Sequence, residues 1–192
     1  IESNGIRIGI LGLVTSAMPH ISMPEVRKGI LFEDEVKIAN QYLPELKEKS
    51  DIIIALTHIG IAKNNEFNDD VYLATSTNHI DFIIGGHTHT LLKKKITANG
   101  TVILQAGSYG THIGKLVLKV RKNKLIGHSY KLIPMSIKKF GEDEVFKNTV
   151  IEMTAGISEK METIIGKSQE EYSNSLGEEY KFNGELPLGN WQ

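Results

Sequence analysis

Cysteine does not occur in this chain of 192 residues. The chain therefore contains neither a disulfide nor a thiolate metal site. The net charge is only −1 at pH 7, so the charge balance gives no support for binding to polymeric nucleic acid or to a membrane surface. No apolar run approaches the length of a membrane-spanning helix, and the sequence contains no secretion signal. What is present is an ordinary globular composition, with 40% hydrophobic and 23% charged residues.

Histidines follow two apolar runs of the chain. The segment Gly-Gly-His-Thr-His-Thr at positions 85–90 comes directly after the run 81–84, and His58 comes after the run 51–56. Both runs are unbroken and are predicted to be strands buried on both faces, so neighbouring strands would bring three imidazoles to one edge of a sheet. Imidazole is the commonest neutral ligand of divalent transition metals. The pattern therefore predicts a metal site made by His58, His87 and His89.

The backbone between the last two histidines must depart from an extended strand. In an extended chain, His87 and His89 would point to opposite faces, because side chains alternate along a strand. The pair Gly85-Gly86 is expected to supply the sharp turn and a close approach to a bound ion.

The rest of the pattern predicts a mixed sheet covered by helices on one face. Residues 16–32, 60–69 and 166–185 are expected to be irregular or extended. Pro44 is expected to kink or stop the helix that contains it, and Asp70 is expected to cap the next one. The predicted elements are a strand over 6–15, helices over 33–49, 70–77 and 142–165, and strands over 101–106, 114–120 and 125–134 with hairpin turns at 99–100 and 122–124.

Four segments resemble, in order, parts of the calcineurin-like metallophosphoesterases, and most closely of the secreted 5'-nucleotidase family. They are 6–15, 51–60, 81–90 and 105–116, and the resemblance covers about residues 1–135. It implies an α/β fold that is part of an αββα sandwich with a mixed sheet, truncated at its N-terminal half. His58 and His87 match ligands of the family's second metal, and His89 matches a ligand of the first. The implied cofactors are two divalent ions, of zinc, manganese, cobalt or iron.

Three motifs of that family are absent from this sequence. It contains no Asp-x-His, no Gly-Asp and no Asn-His followed by an acid. The family's catalytic residues are therefore expected in a missing N-terminal half. The segments 165–168 and 185–192 resemble the start of the family's C-terminal domain. The implied organisation is the second half of the metallophosphoesterase domain over 1–135, a linker helix over 136–165, and the start of the nucleotidase C-terminal domain over 166–192.

Other polar residues are weaker candidates. His112 lies in a turn that approaches the site in related proteins, where a contact with substrate competes with a purely local role. His20 and His128 are interpreted as surface residues without a role. Glu66 and Asp70 are considered as metal ligands but are less favoured for that role.

The resemblance implies a fragment of a dimetal phosphoester hydrolase that acts on nucleotides, as 5'-nucleotidases, UDP-sugar hydrolases and 2',3'-cyclic-nucleotide phosphodiesterases do. The alternatives are the thiosulfohydrolase branch of the same family, or a non-catalytic fragment with at most a partial metal site. The expected partner is a small nucleotide, with a homodimer or an additional N-terminal segment covering the apolar sheet. The family also implies an extracellular, periplasmic or cell-surface location.

Overall fold

A computed structural model describes residues 1–62, 68–162 and 164 of the chain. A six-stranded sheet organises residues 1–141, which form one of two structural units. Its four central strands run parallel, and the first and fifth strands pair antiparallel at its two edges. The spatial order is β1-β2-β3-β4-β6-β5, with β1 Glu2–Ser3, β2 Ile6–Val14, β3 Ile52–His58, β4 Phe82–Ile84, β5 Ile96–Ala98 and β6 Thr101–Leu104. The expectation of a mixed sheet is confirmed.

Two helices cover one face of this sheet. Helix α2, Glu35–Lys49, begins at the cap Asp34, whose carboxylate accepts a bond from the Lys37 amide at 2.8 Å. Helix α3, Asp70–Ser76, follows β3. The buried core between these helices and the sheet consists of Ala39, Leu43, Ile53, Ala55, Ile59, Leu73, Ala74, Ile80, Ile83 and Ile103. The expected early stop at Pro44 is wrong, because α2 continues to Lys49 with Ala39 and Leu43 packed into the core.

A hairpin covers part of the opposite face. Strands β7, His112–Arg121, and β8, Lys124–Pro134, pair antiparallel around a turn in which Lys122 and Asn123 have positive φ. Side chains from both strands pack on the buried Ile52, Phe82, Val102 and Leu104 of the sheet. His128, expected at the surface, is half-buried: one side of its ring packs edge-on against Phe82 at 5.3 Å, while its Nε2 lies 2.6 Å from Nζ of Lys95 in an exposed contact.

The hairpin leaves the carboxyl-terminal part of that face open. Leu56 is 44% exposed and Ile84 is 39% exposed, and these two residues are register partners on β3 and β4. Ile10 and Val14 on β2 flank Gly12, the register partner of Leu56, and are exposed as well. The expectation that these strands are buried on both faces therefore holds only at their amino-terminal ends.

The remaining described elements are short or lie in the second unit. The stretch expected as a loop after β2 contains α1, Met18–Ile21, and a 3₁₀ turn, Pro24–Arg27. Helix α4, Ile137–Phe140, ends the first unit, and α5, Glu144–Met161, is the described part of the second unit, residues 142–192. The expected structure of 166–192 and the position of Glu66 lie outside the described residues. No described helix has the length and apolar content to cross a bilayer.

Candidate metal centre

The parallel pairing of β3 and β4 brings two histidines together. His58 is the last residue of β3, and His87 lies three residues beyond the end of β4. Because the strands are parallel and in register at Leu56 and Ile84, both chains leave the sheet at the same edge. The ring centroids of His58 and His87 are 5.1 Å apart, with the ring planes at 66°.

Close packing explains the two glycines after β4. A Cβ at Gly86 would lie 3.1 Å from Nδ1 of His58, so glycine lets the imidazole rest directly on the backbone. A Cβ at Gly85 would lie only 2.1 Å from Oδ2 of Asp70. Neither glycine has a positive φ, so the expectation that this pair supplies the sharp turn is wrong.

The turn is made by the histidines themselves. His87 has φ of 75° and His89 has φ of 55°, in the left-handed region that residues other than glycine rarely adopt. The intervening Thr88 amide donates to the Gly86 carbonyl at 3.0 Å. The pleat is thus broken between the two imidazoles, and the exposed His89 ring packs against Tyr109 at 5.2 Å.

The surroundings of His87 favour its neutral form. Partial burial lowers the pKa of His87, and the nearby imidazoles of His58 and His89 lower it further. Neutral imidazole is the form that binds metal, so the paired rings fit a ligand role. Within the described part of the chain, no three His, Asp or Glu side chains are grouped so that they could hold an ion. The described residues thus provide two adjacent imidazoles, His58 and His87, with His89 nearby.

A buried carboxyl group lies against Thr57 and Gly85, which precede His58 and His87 in the chain. Asp70 is 0% exposed, and its Oδ1 accepts a bond from the Thr57 hydroxyl at 2.6 Å. Among the described residues its Oδ2 has no hydrogen-bond partner. Burial raises the pKa of Asp70 to about 7, against the opposing effect of the bond from Thr57.

Asp70 does not cap helix α3 as expected. The cap is Asp69, which accepts from the Tyr72 amide at 2.7 Å and from the Ala62 amide at 3.0 Å. The sequence does contain a signal for this alternative: Asp69 directly precedes Asp70, and only one of two successive acids can occupy the cap position.

A second buried carboxylate anchors the loop that follows β2. Glu35 is buried at the start of α2 and accepts bonds from the amide and the hydroxyl of Ser16, at 2.5 and 3.1 Å. Asn68 donates to the same carboxylate at 3.2 Å. Glu35 therefore links the loop after β2 to the residue that precedes the cap of α3, a role that the sequence did not indicate.

The hydrogen-bond contact of His112 is with its neighbour in the chain rather than with the paired histidines. Its Nδ1 is 3.2 Å from the hydroxyl of the neighbouring Thr111, and it opens β7 opposite Pro134. A substrate contact of His112 stays a prediction.

Both a family model and curated relatives match the sequence of this chain. The family model described as calcineurin-like phosphoesterase matches residues 12–91. A 5'-nucleotidase of Vibrio cholerae is 32% identical over an alignment that covers 96% of this chain and 38% of that protein. The chain thus spans well under half the length of this curated relative.

Solved structures share the fold. The 5'-nucleotidase precursor of Thermus thermophilus superposes with a TM-score of 0.71 at 24% identity, over 87% of this chain and 35% of that one. The sulfate thiohydrolase SoxB of Thermus thermophilus, in complex with glycerol, superposes with a TM-score of 0.68 at 16% identity, over 79% and 27%. At these identities the likeness concerns the fold alone.

Proposed function

Because the chain belongs to the calcineurin-like phosphoesterase family, we propose that it is part of a metal-dependent hydrolase that releases phosphate from nucleotides. The observation that supports this most is the pairing of His58 and His87 at the carboxyl edge of two parallel strands. Ligand sites of α/β folds commonly lie at this edge.

The ligand roles follow the resemblance residue by residue. His58 and His87 would hold one divalent ion, and His89 would contribute to a second. Such ions polarise a phosphoryl oxygen and lower the pKa of a bound water, so that a nucleophile is available near neutral pH. The contribution of this chain is to keep His87 in its neutral form, side by side with His58, at a partly exposed edge.

A paired substitution tests the metal assignment. His87→Ala should lower the affinity for zinc or manganese at least about ten-fold, because it removes a ligand. His79→Ala is a matched control, since His79 has the same φ of 75° but precedes β4 rather than following it. Isothermal titration with each metal should show a loss for the first variant and none for the second. Equal affinities in both variants would refute the assignment.

An activity assay tests the reaction itself. The 192-residue chain alone is expected to hydrolyse nucleotides at a negligible rate, since its sequence contains none of the family's three other motifs. Joining it to the N-terminal half of a family member should produce metal-dependent release of phosphate from AMP, UDP-glucose or a 2',3'-cyclic nucleotide. Turnover of a thiosulfate ester instead would favour the thiosulfohydrolase branch. Absence of both, with no metal bound, would favour a non-catalytic fragment.

The location of the protein belongs to the same proposal. The resemblance to secreted nucleotidases supports an extracellular, periplasmic or cell-surface site of action. Fractionation of the producing cells, with the protein detected by an antibody, would test it, and recovery in the cytosol alone would contradict it.

A further inference from the structure

The segment Gly86–Thr90, called here the histidine loop, is a strained backbone that needs external support. His87 and His89 both have positive φ, and each such residue costs of the order of 1 kcal/mol or more, which contacts with its surroundings must offset. The internal support is limited to the bond from the Thr88 amide to the Gly86 carbonyl and the 3.0 Å contact between the hydroxyls of Thr88 and Thr90.

Gln105 supplies external support at both ends of the loop, in addition to the bond from the Gly107 amide to the Thr90 carbonyl at 3.1 Å. It follows β6, is only 1% exposed, and directs its amide group at the histidine loop. Its Nε2 donates to the Gly86 carbonyl, and its Oε1 accepts from the Thr90 amide at 3.0 Å. One planar side-chain amide thus bonds to the residues on either side of the two histidines. Both its amino group and its carbonyl group make hydrogen bonds, as expected of a buried amide.

The same side chain reaches the loop that follows His58. The Thr88 hydroxyl lies 3.4 Å from Oε1 of Gln105 and accepts a bond from the Ile61 amide at 3.0 Å. Gly60 makes this approach possible, because a Cβ there would lie 2.5 Å from Cγ2 of Thr88. A continuous set of contacts therefore runs from Gln105 through Thr88 to the loop after β3.

We propose that Gln105 is a positioning residue that holds His87 and His89 in the left-handed conformation and, through Thr88, fixes them relative to His58. Its effect on metal binding rests on the proposed function, whereas its effect on the backbone does not. Outer groups that orient metal ligands typically change metal affinity about 10- to 100-fold when they are removed.

Nuclear magnetic resonance of the 192-residue chain tests the backbone effect. In the wild type, His87 and His89 should show the strong amide-to-Hα cross-peak within one residue that marks a left-handed backbone. Gln105→Met keeps the length of the side chain but removes both bonds, so these cross-peaks should weaken and the Thr90 amide should exchange faster with solvent. Gln105→Glu, measured at a pH where the introduced carboxyl group is ionised, keeps an acceptor for Thr90 and removes the donor to Gly86, so Thr90 should stay protected while the His87 cross-peak weakens.

A matched control separates positioning from general destabilisation. Thr101→Val removes the buried bond from Thr101 to the Ile80 carbonyl at the other end of β6. It should lower the melting temperature but leave both histidine cross-peaks intact. Thr88→Val, at an exposed position, should deprotect the Ile61 amide without unfolding the chain. Unchanged cross-peaks and exchange in Gln105→Met, or equal losses in Thr101→Val, would overturn the proposal.

Titration with manganese distinguishes the two proposals. If both are correct, the ring signals of His58, His87 and His89 broaden in the wild type, and Gln105→Met needs at least about ten-fold more metal for the same broadening. If the wild type shows no broadening while Gln105→Met still alters the cross-peaks, the metal assignment fails and the positioning role stands. If the wild type binds metal and Gln105→Met binds it equally well, the positioning role fails.

Discussion

The two faces of the six-stranded sheet differ in how completely they are covered. On the face under α2 and α3, burial extends along the strands to their carboxyl ends and includes the polar Thr57 and the carboxyl group of Asp70. On the other face, the hairpin buries Ile52 and Phe82 near the amino ends but leaves Leu56 exposed. The candidate site lies at the carboxyl edge of the sheet, between the complete layer formed by α2 and α3 on one face and the incomplete layer formed by the hairpin on the other. The complete layer therefore positions the imidazoles, and the incomplete one is a surface available for further packing.

The largest expected effect is the pH dependence of stability caused by Asp70 on the helix-covered face. Its pKa is about 7 in the folded chain, above its ordinary value of 3.8, so the folded state holds the proton more tightly. The stabilisation is complete below pH 4 and is lost as the pH rises to about 7. Over about three pH units, at 1.36 kcal/mol for each, the ceiling is about 4 kcal/mol.

Asp70→Asn isolates this contribution, because the amide does not titrate. The difference in the free energy of unfolding between wild type and variant, measured by urea denaturation from pH 4 to pH 8, should shift in favour of the variant as the pH rises. Asp51, held at a low pKa by bonds from Arg7, is present in both proteins and cancels in the difference. A difference that stays constant with pH would show that Asp70 is ionised in the folded chain and that this face is less dry than the structure indicates.

A pair of glycine substitutions compares the two faces by packing alone. Gly85→Ala places a methyl group 2.1 Å from the Asp70 carboxylate, and should lower the free energy of unfolding by about 3 kcal/mol. Gly12→Ala puts the same methyl group on the open face, where no atom of the described residues lies within 4 Å, and should be neutral or stabilise by about 0.5 kcal/mol. Thermal and urea unfolding measure both. Equal losses would mean that the open face is as tightly packed as the covered one.

Local patterns in the sequence predicted most of the fold. Apolar runs identified β2 and β3, and turn residues identified the β7–β8 hairpin, because these elements depend on neighbouring residues. An apolar run does not tell which of its faces is covered, so the exposure of Leu56 could not be predicted. The continuation of α2 past Pro44 likewise depends on packing against the sheet.

The sequence indicated the histidines of the candidate site, whose role as ligands stays a prediction, but not the residues that support them. The spacing of histidines after two apolar runs pointed to His58, His87 and His89, and the structure brings the first two into contact. The roles of Asp70 and Gln105 depend on bonds to residues at least 13 positions away in the chain. Local sequence patterns do not reveal such bonds, because neither Asp nor Gln is an unusual residue at these positions.

The smallest expected effect on folding, and the most direct test of the open face, comes from placing a charge on it. The exposed side chains of Ile10, Val14, Leu56 and Ile84 form an apolar surface that monomers rarely leave uncovered. The isolated chain should therefore associate through it and sediment above its mass of 21.3 kDa, toward twice that value. Leu56→Lys should restore the monomer while changing the free energy of unfolding by only about 1 kcal/mol, since the side chain is already half exposed.

Tyr42→Lys is the matched control, because Tyr42 is exposed to nearly the same degree, 45%, but lies on α2, and this variant should sediment like the wild type. A wild-type chain that sediments as a monomer at all concentrations would show that the open face needs no cover, and that the difference between the two faces is a stable property of a self-sufficient domain.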